Sequence, residues 1–148
     1  MNQTELINNL KEKDVRAVAR LLTLIEDEDE RAESIIKEIW KLTGKSYIIG
    51  ITGPPGAGKS TIVDLLAKAA VNDGHKVGVL AVDPTSPFSG GAVLGDRLRM
   101  SSAQESGIFI RSVASRGHLG GLAATTRFMI NAMELLGNDV TLVETVGA

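Results

Sequence analysis

The 148-residue sequence predicts an α/β fold, a mostly parallel sheet flanked by helices and preceded by an N-terminal helical arm, on three observations. Up to residue 45 the apolar residues recur at three-and-four spacing, the period of amphipathic helices. After it, short continuous apolar runs alternate with helical patterns, as in parallel strands covered on both faces. Between the first such run and the helix behind it stands a glycine-rich octet, residues 53–60.

In chain order, Leu6, Ile7 and Leu10 mark a first helix, and Val15, Val18, Leu21, Leu22 and Ile25 a second. Ile35, Ile36, Ile39 and Trp40 mark a third. The acidic run 26–30 precedes this third helix, where it complements the positive end of the helix dipole in solvent. Gly44 is a left-handed cap that ends the helix. Residues 47–52 read as a buried strand and 61–72 as a helix with Ile62, Leu65, Leu66 and Ala69 inward. Strands follow at 77–82, 108–113 and 140–143, with a helix at 122–136. A long polar segment from Asp83 to about Gly107 carries at most a short helix near 98–102, and residues 115–121 form a glycine-rich loop. The chain divides into a helical extension, 1–45, and an α/β domain, 46–148.

Composition narrows the chemistry. With 43% apolar and 23% charged residues, the chain is an ordinary globular one. Its longest uncharged stretch, residues 46–58, contains Gly and Pro and is too short to span a bilayer. The polar start Asn2-Gln3-Thr4-Glu5 is unlike a secretory signal, so a cytoplasmic location is expected. No Cys means no disulfide, thiol nucleophile or Cys-ligated zinc. His75 and His118 have no ligand companions and read as surface residues. A net charge of −2 with 3% aromatics excludes the basic face and stacking platforms of a nucleic-acid binder.

Gly53-Pro54-Pro55-Gly56-Ala57-Gly58-Lys59-Ser60 matches the Walker A pattern, with a strand leading in and a helix leading out. A polyphosphate must be held by backbone N–H groups that point inward, and glycines let the chain curl that closely. Lys59 supplies a point charge to the terminal phosphates and Ser60 a hydroxyl to Mg²⁺, while the helix N-terminus adds its dipole. Thr61 adds a contact to the innermost phosphate.

In an open parallel sheet the ligand sits beyond the carboxyl ends of the strands. Asp83 follows the second strand and either faces the metal or caps a turn before Pro84. Asp96, in the long loop, either approaches the metal and γ-phosphate on closure or pairs with Arg97 or Arg99. Glu144 ends the fourth strand in the place of a Walker B acid, and Gly147 offers a backbone N–H to the γ-phosphate. Arg116, Gly117, Gly120 and Gly121 form either a plain flexible loop or one that contacts nucleotide or partner.

Residues 49–61, the segment Val82-Asp83-Pro84-Thr85-Ser86-Pro87-Phe88-Ser89-Gly90-Gly91, Leu94-Gly95-Asp96-Arg97, residues 115–123 and Val143-Glu144-Thr145-Val146-Gly147 together resemble the MeaB/ArgK GTPases. The arm segment 20–26 fits as well. That family consists of P-loop NTPases associated with methylmalonyl-CoA mutase, long labelled lysine/arginine/ornithine transport ATPases. The resemblance implies a GTP-hydrolysing switch that binds an adenosylcobalamin-dependent methylmalonyl-CoA mutase, gates cofactor loading and protects the mutase. It implies GTP/GDP and Mg²⁺ as ligands, with Lys59, Asp96 and Glu144 catalytic and Ser60, Asp83, Asp96 and Glu144 around the metal. Members are roughly twice as long, continue to an Asn-Lys-x-Asp guanine-reading motif and form homodimers through a C-terminal extension. By resemblance, then, this chain is the N-terminal portion, without the C-terminal part of the G domain. Two other readings stand beside it. A small-molecule kinase would use the same loop with an Arg-rich lid, which is not recognisable here, and a non-catalytic fragment would bind nucleotide or partner only. A partitioning-type ATPase would place a Lys where Pro54 and Pro55 stand.

Overall fold

The computed structural model describes residues 1–83, 107–114 and 122–146. Three helices come first: α1 (Gln3–Lys11), α2 (Val15–Glu26) and α3 (Glu30–Ile39). A 3₁₀ turn, Trp40–Leu42, leads to β1 (Tyr47–Gly53). Then follow α4 (Lys59–Asn72), β2 (Val77–Asp83), β3 (Phe109–Ala114), α5 (Leu122–Glu134) and β4 (Val140–Val146). The four strands are parallel and lie in the order β1-β4-β2-β3.

Each arm helix begins at a side chain that accepts a hydrogen bond from an otherwise orphaned N–H. Asn2 Oδ1 accepts from Glu5 N at 2.8 Å, Asp14 Oδ1 from Ala17 N at 2.8 Å and Asp29 Oδ1 from Arg31 N at 2.9 Å. The acidic run therefore straddles a turn rather than preceding one helix. Glu26 closes α2, Glu28 takes a left-handed φ of 56°, and only Asp29 and Glu30 serve the start of α3.

Arg31 also donates from its side chain to both Asp29 oxygens, which holds the Asp29 carboxyl well below the usual carboxylate range. A depressed carboxyl contributes stability that is complete above its unfolded-state pKa and is lost as pH falls through the folded one. Asp29→Ala is thus expected to lower the thermal midpoint more at pH 7 than at pH 3, where the unfolded carboxyl is largely protonated and part of the advantage is gone, while the cap lost with the side chain costs stability at both. Melting curves at the two pH values check this.

Two apolar layers sandwich the sheet. On one face Leu6, Leu10, Val18, Leu21, Leu22, Ile35 and Ile39 of the arm pack with Met129 and Met133 of α5 and with Leu80 and Val143 of the strands. On the other, Val63 and Ala67 of α4 pack against Val77, Val79, Ile110 and Leu142. Close approach of α5 to the sheet depends on Gly78. A Cβ there would stand 2.2 Å from Asn138 Nδ2 and 2.9 Å from Met133 Cε. Asn138 is buried and donates to Met133 O, so it cannot simply swing away. Gly78→Ala is expected to cost about 1–3 kcal/mol through overpacking, read from urea unfolding.

Several expectations need correction. α4 turns a different stripe inward: Val63 and Ala67 are fully buried, while Ile62, Leu65 and Leu66 are 49%, 60% and 40% exposed and Ala69 is exposed too. The helix carries two apolar stripes, and Val63 and Ala67 lie against the sheet rather than Leu65 and Leu66, the smaller pair permitting closer approach. Among the described residues β1 lies at the edge of the sheet and is not buried, with Tyr47 71% exposed. Trp40 and Val15 point to solvent, Trp40 because the last helical turn tightens to 3₁₀. Gly44 has the expected left-handed φ of 86°, but it follows that turn rather than α3 itself. α5 stops at Glu134, and Leu135 and Leu136 are buried in the turn after it. β4 continues past its apolar run to Val146, since it is paired on both sides.

Candidate functional site

β1 ends at Gly53 and α4 begins at Lys59, so residues 54–58 make the turn between them at the carboxyl edge of the sheet. Gly56 and Gly58 have φ of 78° and 90°, left-handed values that side-chain-bearing residues rarely adopt. Gly58 caps α4 with no side-chain hydrogen bond. The first N–H groups of α4, at Lys59, Ser60 and Thr61, consequently lack intrahelical acceptors and converge with the positive helix end. Pro54 and Pro55 have no N–H and can only shape the loop, leaving N–H groups at Gly56, Ala57 and Gly58, of which Ala57 N already donates to Pro54 O at 3.3 Å.

Lys59 is 9% exposed and folds back over the loop, where its Nζ donates to Gly53 O at 2.8 Å and to Pro54 O at 2.9 Å. A Cβ at Gly53 would stand 3.6 Å from Lys59 Cδ, an ordinary van der Waals contact, so the lysine stem packs against this position without requiring it to be empty. Ser60 Oγ donates to Glu144 Oε1 at 3.0 Å. Glu144 is 6% exposed and lies within β4, opposite Ile51 of β1 and Ala81 of β2. It therefore does not end the strand: two-sided pairing carries the ladder past it and fixes its backbone beneath the loop.

Of the expected site residues, the structure brings together Gly53, Pro54, Pro55, Gly56, Ala57, Gly58, Lys59, Ser60, Thr61 and Glu144. Asp83 closes β2, the strand next to β4, and its side chain lies outside what is described. Asp96, Gly147, Arg116, Gly117, His118, Gly120 and Gly121 lie outside the described residues. His75 is exposed, as expected of a surface residue.

One polar anchor escaped sequence reasoning. Arg111 of β3 donates from Nη2 to Thr23 Oγ1 at 3.1 Å and to Glu26 Oε2 at 3.3 Å, tying the arm to the sheet. A charged residue inside an otherwise apolar strand was the available signal.

The family model for the methylmalonyl-CoA mutase-associated GTPase MeaB matches residues 18–148. This chain belongs to the MeaB family. A Pyrococcus abyssi (strain GE5 / Orsay) protein is 57% identical over 144 residues, covering 97% of this chain and 44% of its own length. GTPase ArgK of Escherichia coli (strain K12) is 39% identical over 148 residues, covering 97% of this chain and 45% of ArgK. A fused isobutyryl-CoA mutase of Geobacillus kaustophilus (strain HTA426) is 36% identical over 154 residues, covering 97% of this chain and 14% of the fused protein. Among solved structures, a LAO/AO transport system kinase superposes with a TM-score of 0.74 at 30% identity, covering all of this chain and 45% of the other. The MeaB-family chain described here thus spans less than half the length of these relatives. Its P-loop NTPase fold and its kinship with proteins named GTPases are established on these matches. No helix among the described residues is long and apolar enough to cross a membrane.

Proposed function

We propose that this chain carries the phosphate and metal half of a GTP-binding, GTP-hydrolysing site, and that the protein acts as a chaperone and switch for an adenosylcobalamin-dependent methylmalonyl-CoA mutase. The observation that carries the nucleotide reading is the pairing of a buried Lys59, held at the loop's own carbonyls, with the Ser60–Glu144 hydrogen bond beneath it. The mutase reading is supported by the family's description and by the relative in which a homologous segment is fused to an acyl-CoA mutase.

The residues present fit a triphosphate with Mg²⁺. Backbone donors at 56–61 suit phosphate oxygens, and one hydroxyl plus one carboxylate suit an ion that keeps several waters and takes its other ligands from phosphate. Bound Mg²⁺ supplies neutralisation of the charge that develops on the phosphate oxygens. Lys59 exchanges two neutral carbonyl acceptors for anionic phosphate oxygens, a charge-assisted bond and the stronger one. Ser60 would offer its hydroxyl oxygen to the metal, and Glu144 its carboxylate to the metal or to a water on it. Asp83 and Asp96 are assigned to the same metal, with Asp96 and the Gly147 N–H reporting the γ-phosphate. Guanine selection is assigned by kinship.

The test is turnover of GTP against ATP, with Mg²⁺ present, by the protein at the full length of its relatives, which brings the guanine-reading motif that the resemblance implies. GTP hydrolysis at least about tenfold faster than ATP hydrolysis, the factor that about 1.4 kcal/mol of transition-state discrimination supplies, is expected. Equal turnover of both would remove the guanine assignment, and diphosphate binding without any turnover would remove the hydrolytic one.

A further inference from the structure

A charge interrupts the apolar layer on the arm side of the sheet. Side chains alternate along a strand, so Arg111 of β3 shares a face with Phe109 and Val113, both of which pack in that layer. Its guanidinium meets α2 at two points, where Nη2 donates to Thr23 Oγ1 at 3.1 Å and to Glu26 Oε2 at 3.3 Å. The Arg111 and Glu26 side chains are only 22% and 23% exposed. Thr23 donates its own proton to Ala19 O at 3.1 Å, which leaves its oxygen turned to accept from Arg111.

Stability does not account for this residue. Arg111 Nε is buried and has no acceptor among the described residues, and a desolvated donor without a partner costs free energy. An unbranched apolar side chain would extend the layer formed by Phe109 and Val113, and exchanging a desolvated ion pair for packed apolar groups is often neutral or stabilising. The polar contact supplies position instead. Thr23 and Glu26 stand three residues apart, about one turn of α2, so a guanidinium between them fixes both how far the helix slides along β3 and how it rotates. Apolar contact is non-directional and fixes neither.

Among the described residues β3 pairs with β2 alone, at the edge of the sheet. Arg111 stands opposite Leu80, and three residues on Ala114 stands opposite Asp83, the last residue of β2. At about 3.3 Å per residue the clamp is about 10 Å from that strand end. We infer that Arg111 is a positioning residue: clamped to Thr23 and Glu26, it lets the arm set where the carboxyl ends of β2 and β3 lie, and so how well Asp83 serves the metal. The inference rests on the assignment of Asp83 to Mg²⁺ and adds a regulatory input to it, since a partner that shifts the arm would shift metal affinity through the same clamp.

The test titrates Mg²⁺ at a fixed concentration of a non-hydrolysable GTP analogue, in the protein at the full length of its relatives, with metal-free GDP affinity and melting curves measured beside it. Arg111→Met is expected to raise the Mg²⁺ concentration for half-saturation about 2- to 30-fold, the range that coupling through packed elements carries, with metal-free GDP affinity and melting midpoint retained. Glu26→Ala, which leaves the sheet untouched, is expected to give a shift in the same range and to add nothing to it in the Arg111→Met background, as two halves of one contact do. Independent, additive shifts overturn the inference. So does an equal loss of Mg²⁺ affinity, GDP affinity and melting midpoint, which is what a merely structural support would show. An unshifted Arg111→Met beside an Asp83→Asn variant that loses metal affinity overturns the clamp alone; if Asp83→Asn is unshifted too, the metal assignment falls with it.

Discussion

Lys59→Ala is expected to lower the affinity for Mg²⁺-GTP about 100-fold or more, since charge-assisted hydrogen bonds are worth roughly 1.5–3 kcal/mol each and the ammonium serves more than one phosphate oxygen. The fold should survive. Among the described residues Lys59 Nζ bonds the carbonyls of Gly53 and Pro54, at 2.8 and 2.9 Å, and with Pro54 exposed and Gly53 half-buried water can take over both. Calorimetric titration of wild type and variant, with thermal melts as control, measures both. Unchanged affinity in a folded variant would remove Lys59 from the site and, with it, the reading of residues 53–60 as a phosphate cradle.

The second large effect is at Glu144. Glu144→Gln retains an oxygen to accept from Ser60 Oγ but removes the negative charge from a position only 6% exposed. If that charge serves the metal, the Mg²⁺ dependence of triphosphate binding should weaken roughly 10- to 100-fold, the range seen when a group supporting a metal site is lost. Diphosphate binding without metal should be unaffected, because the Lys59 and backbone contacts are intact. Titration of Mg²⁺ at fixed GTP separates the two cases. Equal loss with and without metal would instead make Glu144 a structural support for the loop.

Much of this arrangement was legible in the residues, and the failures have physical causes. The cradle was readable because its chemistry is local: Gly56 and Gly58 take left-handed backbone, Lys59 and Ser60 start a helix, and all of it lies within one octet. The parallel strands were readable as continuous apolar runs. Their ends were not, because Glu144 and Thr145 stay in the ladder through pairing with β1 and β2, which no single strand reveals. The inward face of α4 was misread because periodicity finds an apolar stripe but cannot choose between two of them. Residue size chose: Val63 and Ala67 allow the helix closer to the sheet than Leu65 and Leu66 would. Sheet order was likewise invisible, so β1 read as a buried strand although among the described residues it lies at an edge. Arg111 shows the same limit, since its partners Thr23 and Glu26 lie 88 and 85 residues away in sequence.

The most direct test of the account is where nucleotide touches the backbone. Amide ¹H–¹⁵N spectra of the chain, recorded as Mg²⁺-GTP is added, should show their largest shifts at Gly56, Ala57, Gly58, Lys59, Ser60 and Thr61, the donors of the turn and first helical residues. Shifts centred elsewhere, or none at millimolar nucleotide, would contradict the claim that this turn is a triphosphate cradle.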